Sequence, residues 1–286
     1  MAAVNQVIAP KVTITTNDSF TITPLRISTM TVTANWGLPI QRDSLFRQLR
    51  KQLIPIGYPS EGILKLEHNN EVFGACYKDL FTNRKATPKS FFNQSTIVLR
   101  RPTPSGWKEL NMKIFGNGGI QMTGVTSKEF AVEGVEWLLT QIKRLPESPF
   151  QDATKEPAVT KVDVSLINTD YSLNKDIQQD NLHKILMEKY NLFSMLEKTI
   201  YQGVNTTFFY NTNTAGSGIC KCKGFCKGQG TGDGEAECKR ITMSIFRTGK
   251  IIITGARTMD QIQAAYVFLN NVFRDHAASV LGGPHA

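Results

Sequence analysis

Hydrophobic and polar residues alternate in two stretches of the chain that also share a sequence. Met112–Gly124 and Met243–Gly255 lie at a constant offset of 131 residues and are identical at seven of thirteen positions. Self-similarity at close to half the chain length indicates an internal duplication. Both stretches have the period of two that predicts β-strands, broken in each by a glycine-containing turn.

The alternation along these strands predicts that their phenylalanines lie on the opposite face of the sheet from most of the other apolar residues. Side chains alternate across a sheet, so Met112 and Ile114 share one face while Lys113 and Phe115 share the other. The second copy has the same parity, which places Phe246 on the polar face. After the turn, the residues predicted on this face are Gln121, Thr123, Ile252 and Thr254.

Each copy is followed by a predicted amphipathic helix. Thr126–Glu129 and Thr258–Gln261 both fit the capping box, in which a hydroxyl and a carboxylate or amide satisfy the first amides of a helix. Upstream, the β-branched stretches Ile27–Ala34 and Val162–Ile167 predict a first strand in each half. Each strand leads into a predicted short amphipathic helix, which carries Leu45 and Leu49 or Leu182 and Leu186. Each half therefore reads as strand, short helix, several strands and long helix.

This order predicts an α+β protein in which two similar halves pair into one antiparallel sheet, with the helices on a single face. A Pro- and Glu-containing segment has linker composition and separates the halves. The predicted regions are an N-terminal extension (1–22), a first repeat (23–146), a linker (147–158), a second repeat (159–275) with a cysteine-rich insertion (212–240), and a C-terminal tail (276–286).

Composition narrows the class of protein. The 286 residues are 41% hydrophobic and 20% charged, which excludes a disordered chain, collagen and a coiled coil. The formal net charge of +9 favours a polyanionic partner such as nucleic acid. Because no apolar run approaches ~20 residues and the N-terminus lacks a signal-peptide layout, we expect an intracellular protein without a membrane partner.

A large aromatic side chain placed twice on a face of threonines and small polar groups predicts a binding surface. In a basic protein, such rings can stack on single-stranded bases, as in sheet modules that bind RNA. They can also wedge between base pairs from the minor groove.

The duplicated motif resembles the signature I-F-x-x-G-K-x-x-x-T-G-A of the TATA-binding protein family. It is complete from Ile245 to Ala256, and a weaker copy runs from Ile114 to Val125. With its long insertions, the chain is most similar to divergent versions encoded by large DNA viruses. The resemblance, which extends over roughly residues 25–275, implies a saddle whose continuous curved sheet carries the helices on its convex face.

The resemblance also implies roles for individual residues. The family uses two phenylalanines per repeat as wedges at the stirrups of the saddle, and Phe115 and Phe246 match the second of each pair. Their first partners match Phe92, with Phe91 as the alternative, and Tyr201. The remaining implied DNA contacts are Thr123, Lys250, Ile252, Thr254 and Arg257.

Some positions depart from the family pattern. The family has a central asparagine in each half, where the alignment puts Ile27 or Ser28 in the first half and Leu166 in the second, with Asn168 two residues away. Lys113 and Ser244 replace apolar contact residues. Minor-groove readout is degenerate, so we expect these changes to weaken or alter TATA selectivity before they abolish binding.

The implied mechanism is deformation of promoter DNA. Apolar rings enter partly unstacked steps, and AT-rich sequences are natural targets because TA and CA/TG steps kink most easily. Phosphate contacts are predicted for basic residues such as Arg100, Arg101, Lys250 and Arg257. The expected partners are double-stranded promoter DNA, a B-type initiation factor and RNA polymerase.

Four of the five cysteines, Cys220, Cys222, Cys226 and Cys238, lie within nineteen positions and form a C-x-C-x3-C-x11-C pattern. Four thiolates can hold a structural zinc ion, which would order a segment too rich in glycine to build its own core. Free thiols and disulfides are the alternatives, and disulfides are disfavoured in a reducing interior. The family topology implies that this insertion lies at the second stirrup.

The leading interpretation is therefore a transcription initiation factor that bends promoter DNA and seats a polymerase-recruiting partner. We expect it in the host nucleus, a cytoplasmic viral factory or the virion. The first alternative is a saddle that has lost DNA binding and serves as a protein-interaction module. An enzyme is the second alternative, but the sequence offers no P-loop and no nucleophile with a base, and His183 on a helix is a poor general base.

Overall fold

A computed structural model describes residues 20–81, 93–152, 154–214 and 216–284. The described chain divides into two compact units, one formed by residues 29–165 and the other by residues 20–28 with 166–284. Each unit is α+β, with an antiparallel sheet whose one face packs against helices. The predicted α+β class is confirmed.

The first unit has a sheet in the order β3-β2-β4-β5-β6-β1, and every neighbouring pair is antiparallel. Its strands are β1 (Arg26–Asn35), β2 (Gly62–His68), β3 (Glu71–Gly74), β4 (Gln94–Thr103), β5 (Gly106–Phe115) and β6 (Gly119–Val125). Its helices are α1 (Arg42–Leu49), α2 (Tyr77–Phe81) and α3 (Lys128–Lys143).

The second unit has a sheet in the order β7-β12-β11-β10-β9, also antiparallel throughout. Its strands are β7 (Thr160–Ser172), β8 (Lys175–Ile177), β9 (Ser194–Glu197), β10 (Tyr201–Tyr210), β11 (Lys239–Phe246), β12 (Lys250–Ala256) and β13 (Leu281–Pro284), and its helices are α4 (Gln179–Glu188), α5 (Met259–Asp275) and α6 (Ala277–Val280). Both β1 and β7 contribute residues to each unit.

The core of each unit lies between its sheet and its long helix. Met112 and Ile114 are fully buried in the first unit, as are Met243 and Ile245 in the second. In the second unit α5 packs on β10, β11 and β12, and in the first α3 packs on β6. Among the described residues, no helix has the length and apolarity needed to span a membrane.

A tight turn requires the glycine that each copy of the motif has three residues after its phenylalanine. Gly118 and Gly249 have φ of 79° and 76°, the left-handed region that favours glycine. Each donates its N–H to the carbonyl of the phenylalanine three residues before it, at 3.0 Å in both units. A Cβ on Gly118 would also collide with the carbonyl oxygen of Leu38, so a second backbone segment closes over the turn.

The two helix caps differ from each other. Thr258 and Gln261 form the predicted capping box at the start of α5. The box predicted at Thr126 is wrong, because the N-cap of α3 is Ser127, whose hydroxyl accepts the N–H of Phe130 at 3.2 Å. The Thr126 hydroxyl instead accepts a hydrogen bond from Lys108 Nζ at 3.1 Å.

Segments assigned from the sequence to connectors are packed. In the linker, Phe150 is buried and meets Trp36 edge-on, with ring centroids 5.9 Å apart. Residues 277–284, placed in a C-terminal tail by the sequence, form α6 and β13, and β13 pairs with β8.

We predict that Gly118→Ala lowers the free energy of unfolding by about 1 to 3 kcal/mol, because a left-handed alanine and a collision with backbone add to each other. Gly57→Ala is the matched control in the same unit, since a Cβ there meets nothing within 4 Å. Urea unfolding followed by circular dichroism measures both. Equal midpoints for the two variants would contradict the role given to the turn.

Candidate nucleic-acid interface and cysteine cluster

Each sheet has a second face, which we call the open face, formed by the residues that alternate with the buried ones. In the second unit, Phe246 and Ile252 lie on the open face, half-buried, beside polar neighbours. The structure thus places both side chains on the face that strand parity predicts. The other open-face residues on β10, β11 and β12 are Asn205, Thr207, Phe209, Arg240, Thr242, Ser244 and Thr254.

Tyr201 and Phe246 form a ring pair at one end of this face. Their centroids are 5.6 Å apart, with planes inclined by 56°, and Tyr201 is 39% exposed. Both rings lie over Gly203, the cross-strand partner of Phe246. A Cβ at Gly203 would stand 2.9 Å from the tyrosine ring and 3.2 Å from the phenylalanine ring, so a residue without a side chain makes room for the pair.

Asparagine side chains on the open face form hydrogen bonds that the sequence did not reveal. Asn168 is the cross-strand partner of Thr254, and its Oδ1 accepts a hydrogen bond from the threonine hydroxyl. Asn205 Oδ1 accepts one from the Ser244 hydroxyl at 2.6 Å. Asn168, two residues from the aligned Leu166, therefore supplies an amide beside Thr254.

The open face of the first unit has a different composition. Phe115 and Thr123 lie on it, both half-buried, with Lys113 at the position that Ser244 occupies in the second unit. Opposite Thr123 stands Thr31, where the second unit has an asparagine. Phe92, expected to pair with Phe115, lies outside the described residues, as does the alternative Phe91.

Two of the arginines expected at phosphates are engaged within the fold. Arg100 is 2% exposed and donates to the backbone carbonyls of the loop 56–60. Arg101 forms an ion pair with Glu61, and its guanidinium lies 5.7 Å from the centroid of Trp137. The prediction for Arg100 is wrong, because loop carbonyls take the donors that a phosphate would need, and the Glu61 carboxylate already neutralises Arg101.

Other charges remain at the open face and its edge. Lys250 and Arg257 are exposed, and Arg257 lies beside Lys239 and Arg240 at the far end of β11. Burial, and then the charges of these two arginines, lower the pKa of Lys239. Positive charge is therefore concentrated where β11 begins.

One carboxylate also lies on the open face of the second unit. Asp170 is the cross-strand partner of Ile252. Arg26 makes a bidentate ion pair with it, at 3.0 and 2.9 Å. The arginine neutralises a charge that would repel a polyanion.

The four clustered cysteines bring their sulfur atoms within 4.8 Å of one another. Cys238 is buried, and its sulfur lies 3.4 Å from that of Cys222 and 3.7 Å from that of Cys220. Tetrahedral zinc with Zn–S bonds of ~2.3 Å requires sulfurs about 3.8 Å apart, whereas a disulfide requires ~2.05 Å. The cluster therefore fits a structural zinc ion held by Cys220, Cys222, Cys226 and Cys238.

The surroundings of the cluster also suit a cation. Burial and the neighbouring thiols raise the pKa of the Cys238 thiol, so a cation at the centre is what would favour four thiolates. The side-chain amide of Asn211 donates to Cys238 Sγ at 3.6 Å and to the Gly234 carbonyl at 2.8 Å. Zinc would supply cross-linking here, with no open coordination position for chemistry.

The insertion does not lie at the position expected for a stirrup. It joins Tyr210 to Lys239, which pair at one end of the β10–β11 hairpin, while Gly203 and Phe246 pair at the other end. Seven residues of strand separate these ends, a distance of about 23 Å. The insertion is fixed instead near the start of α5, where Gln261 Nε2 donates to the Thr231 carbonyl at 2.7 Å.

Two histidine–serine pairs have geometry that resembles part of a hydrolase site. His183 Nδ1 lies 3.0 Å from Ser194 Oγ, and His68 lies 2.6 Å from Ser95 Oγ and 2.8 Å from Asp43. The hydrogen bond from His68 lowers the pKa of Asp43. Both serines are buried, at 6% and 1% exposure, so neither hydroxyl can reach a substrate from solvent. These hydrogen bonds tie helices to strands.

Comparisons with known proteins find similarity to the same family that the repeated motif resembles. A family model described as transcription factor TFIID, or TATA-binding protein (TBP), matches residues 235–276. A "TATA-box-binding protein-like" protein of Acanthamoeba polyphaga mimivirus is 24% identical over 265 residues. The resemblance to the TATA-binding protein family is confirmed.

The alignment with the mimivirus protein covers 87% of this chain and 64% of the relative, so the chain spans a little under two thirds of that relative's length. Among solved structures, Methanococcus jannaschii TBP matches 88% of this chain and 99% of its own, with a TM-score of 0.48 and 14% identity. The residues that match the family model include β11, β12 and the whole of α5.

We predict that Cys222→Ser reduces bound zinc from about one ion per chain to nearly none, because three thiolates and a hydroxyl bind zinc far more weakly than four thiolates. Atomic emission on gel-filtered protein measures the metal content. Cys76→Ser is the control, since that buried thiol lies outside the cluster and bonds to Asp79. Zinc-free wild-type protein purified from zinc-supplemented cells would contradict the assignment.

Proposed function

We propose that this protein is a transcription initiation factor of the TATA-binding type, which grips the minor groove of AT-rich promoter duplex with its open faces. The observation that carries the proposal is the half-exposed phenylalanine at the same place in both copies of the motif. In the second unit this phenylalanine is paired with a second exposed ring, Tyr201. The resemblance to the family supplies the general class.

The open faces have the chemistry that a minor groove requires. A·T pairs present only acceptors in that groove, and threonine hydroxyls and asparagine amides can donate to acceptors. Thr254 donates to Asn168 Oδ1 in the free protein, so the amide NH2 of that asparagine is the group left to donate to a groove acceptor. The second unit therefore discriminates against the exocyclic amine of G·C pairs more strongly than the first, where Thr31 stands at the matching place.

The rings supply the deformation. Unstacking one base step with an apolar ring costs a few kcal/mol. The bent duplex recovers this free energy because its widened minor groove contacts more of the sheet. Phe115 and Phe246 lie immediately before the glycine turns, so the backbone that carries them is held by a second segment of chain. A ring on a rigid turn loses little conformational freedom when it enters a base step.

The proposed complex includes further partners. Lys113 and Lys250 provide phosphate contacts beside the rings, with Arg257 at the edge of the face. We also propose that the bent DNA seats a B-type initiation factor and so recruits RNA polymerase, in whichever compartment transcribes the genome that encodes the chain.

A protein-interaction module is the second candidate, and one observation favours it. The edge strand β9 exposes Met195, and Phe193 beside it is 65% exposed. Apolar groups at a sheet edge are typical of protein contacts. Under this alternative a folded sample shows no preference for duplex DNA.

We predict that the double variant Phe115→Ala with Phe246→Ala binds an AT-rich duplex at least tenfold more weakly than wild type, because both wedges are lost. We also predict that wild-type protein binds an AT-rich duplex more tightly than a GC-rich duplex. Fluorescence anisotropy with labelled duplexes at fixed salt measures both quantities. Tyr58→Ala with Tyr77→Ala is the control, since it removes two exposed rings of the first unit that lie outside the strands.

Unchanged affinity in the phenylalanine double variant would contradict the wedge role. Wild-type protein that is folded and does not bind either duplex would favour the interaction module instead.

A further inference from the structure

The cysteine cluster carries a loop of unpaired positive charge. Lys221 and Lys223 alternate with the first cysteines, and Lys227 follows the third. All three lysines are exposed, and in the described part of the chain none of them forms an ion pair. Lys221 lies between two of the clustered cysteines, and Lys223 and Lys227 each directly follow one, so packing of the thiols into the cluster leaves the lysine side chains at its exposed surface. We call Cys220–Lys227 the basic loop.

An aromatic ring stands at the tip of the basic loop. Phe225 is 87% exposed, more than any other phenylalanine among the described residues. It lies between Lys223 and Lys227 and follows Gly224. A ring this exposed has no role in the core, and its lysine neighbours make a purely apolar partner unfavourable.

The acidic residues of the insertion do not neutralise this loop. The Glu235 carboxylate accepts the backbone N–H of Lys223 at 2.7 Å, and Glu237 accepts that of Thr231 at 3.2 Å. Asp233 accepts the hydroxyl hydrogen bond of Thr212 at 2.8 Å. These three carboxylates organise the backbone of the insertion and leave the ammonium groups of the basic loop to solvent.

The insertion is anchored to the end of the open face. A Cβ on Gly228 would stand 2.8 Å from both Phe209 and the Cβ of Arg240, so the chain just after the basic loop packs on these open-face residues. The Gly228 carbonyl also accepts the N–H of Arg240 at 2.8 Å. The basic loop therefore continues the surface that ends at Arg240, at the opposite end of the hairpin from the Tyr201–Phe246 pair.

From this arrangement we infer that the basic loop is a second DNA contact, in which Lys221, Lys223 and Lys227 bind duplex phosphates and Phe225 packs on the sugar and base surface between them. The inference rests on the proposed function, because the duplex is the one that the open face grips. The four cysteines of the cluster, which would hold zinc, fix the backbone that carries these lysines. The basic loop binds A·T and G·C sequences equally strongly, since phosphates carry no sequence information.

The test is the salt dependence of duplex affinity. The triple variant Lys221→Ala, Lys223→Ala and Lys227→Ala removes three charges and leaves the cysteines intact. The matched control, Lys128→Ala with Lys184→Ala and Lys189→Ala, removes three exposed lysines at the helices. Anisotropy with the AT-rich duplex across a potassium chloride series gives the slope of log affinity against log salt, and zinc content verifies that each variant keeps the cluster.

Each lost phosphate contact flattens that slope by about 0.9, so we expect the triple variant to be flatter than wild type by about 2 to 3 and the control to match wild type. Phe225→Ser should weaken binding about fivefold or more with the slope unchanged, because the ring carries no charge. The same slope in the triple variant and its control overturns the inference while the proposed function stands. Wild-type protein that does not bind the duplex overturns both.

Discussion

Burial of one face of each sheet beneath helices is the constraint on which the rest of this structure depends. Met112, Ile114, Met243 and Ile245 lose essentially all contact with water, and each fully buried side chain of this kind contributes about 1.5 to 3 kcal/mol. Because side chains alternate, the same strands must present their other residues away from the helices. The phenylalanine that ends each strand is therefore kept half-exposed by the packing of its neighbours rather than by any contact of its own.

Duplication has preserved the backbone more strictly than the surface. The turn after each phenylalanine has the same hydrogen bond and the same left-handed glycine in both units. The open faces differ, with Lys113 and Thr31 in the first unit where the second has Ser244 and Asn168. The two units therefore hold their phenylalanines in the same way and present different polar residues around them.

Much of this arrangement could be predicted from the sequence. The period-two pattern placed Phe115, Phe246 and Ile252 on the open face, and the cysteine spacing predicted the cluster. These predictions are local, since they depend on residues that are close along the chain. The capping box of α5 was predicted for the same reason, and the one at Thr126 failed by a single residue, which is the usual uncertainty of a helix boundary.

The features that the sequence did not predict depend on contacts between distant residues. Asn168 became an open-face residue beside Thr254 through the register of β7 and β12, which a motif alignment cannot supply. Arg100 was predicted at phosphates, but it is enclosed by the carbonyls of a loop forty residues earlier. The position of the insertion followed a family topology, whereas the strand pairing puts it at the other end of the hairpin from the rings.

We propose that the open faces hold a bent duplex. Energy transfer between dyes at the two ends of a short AT-rich duplex measures this most directly, with the protein at saturation. If the open faces bend the duplex, the two dyes come closer together and energy transfer rises when wild-type protein binds. A saturated complex in which the end-to-end distance stays that of free, straight duplex would contradict it.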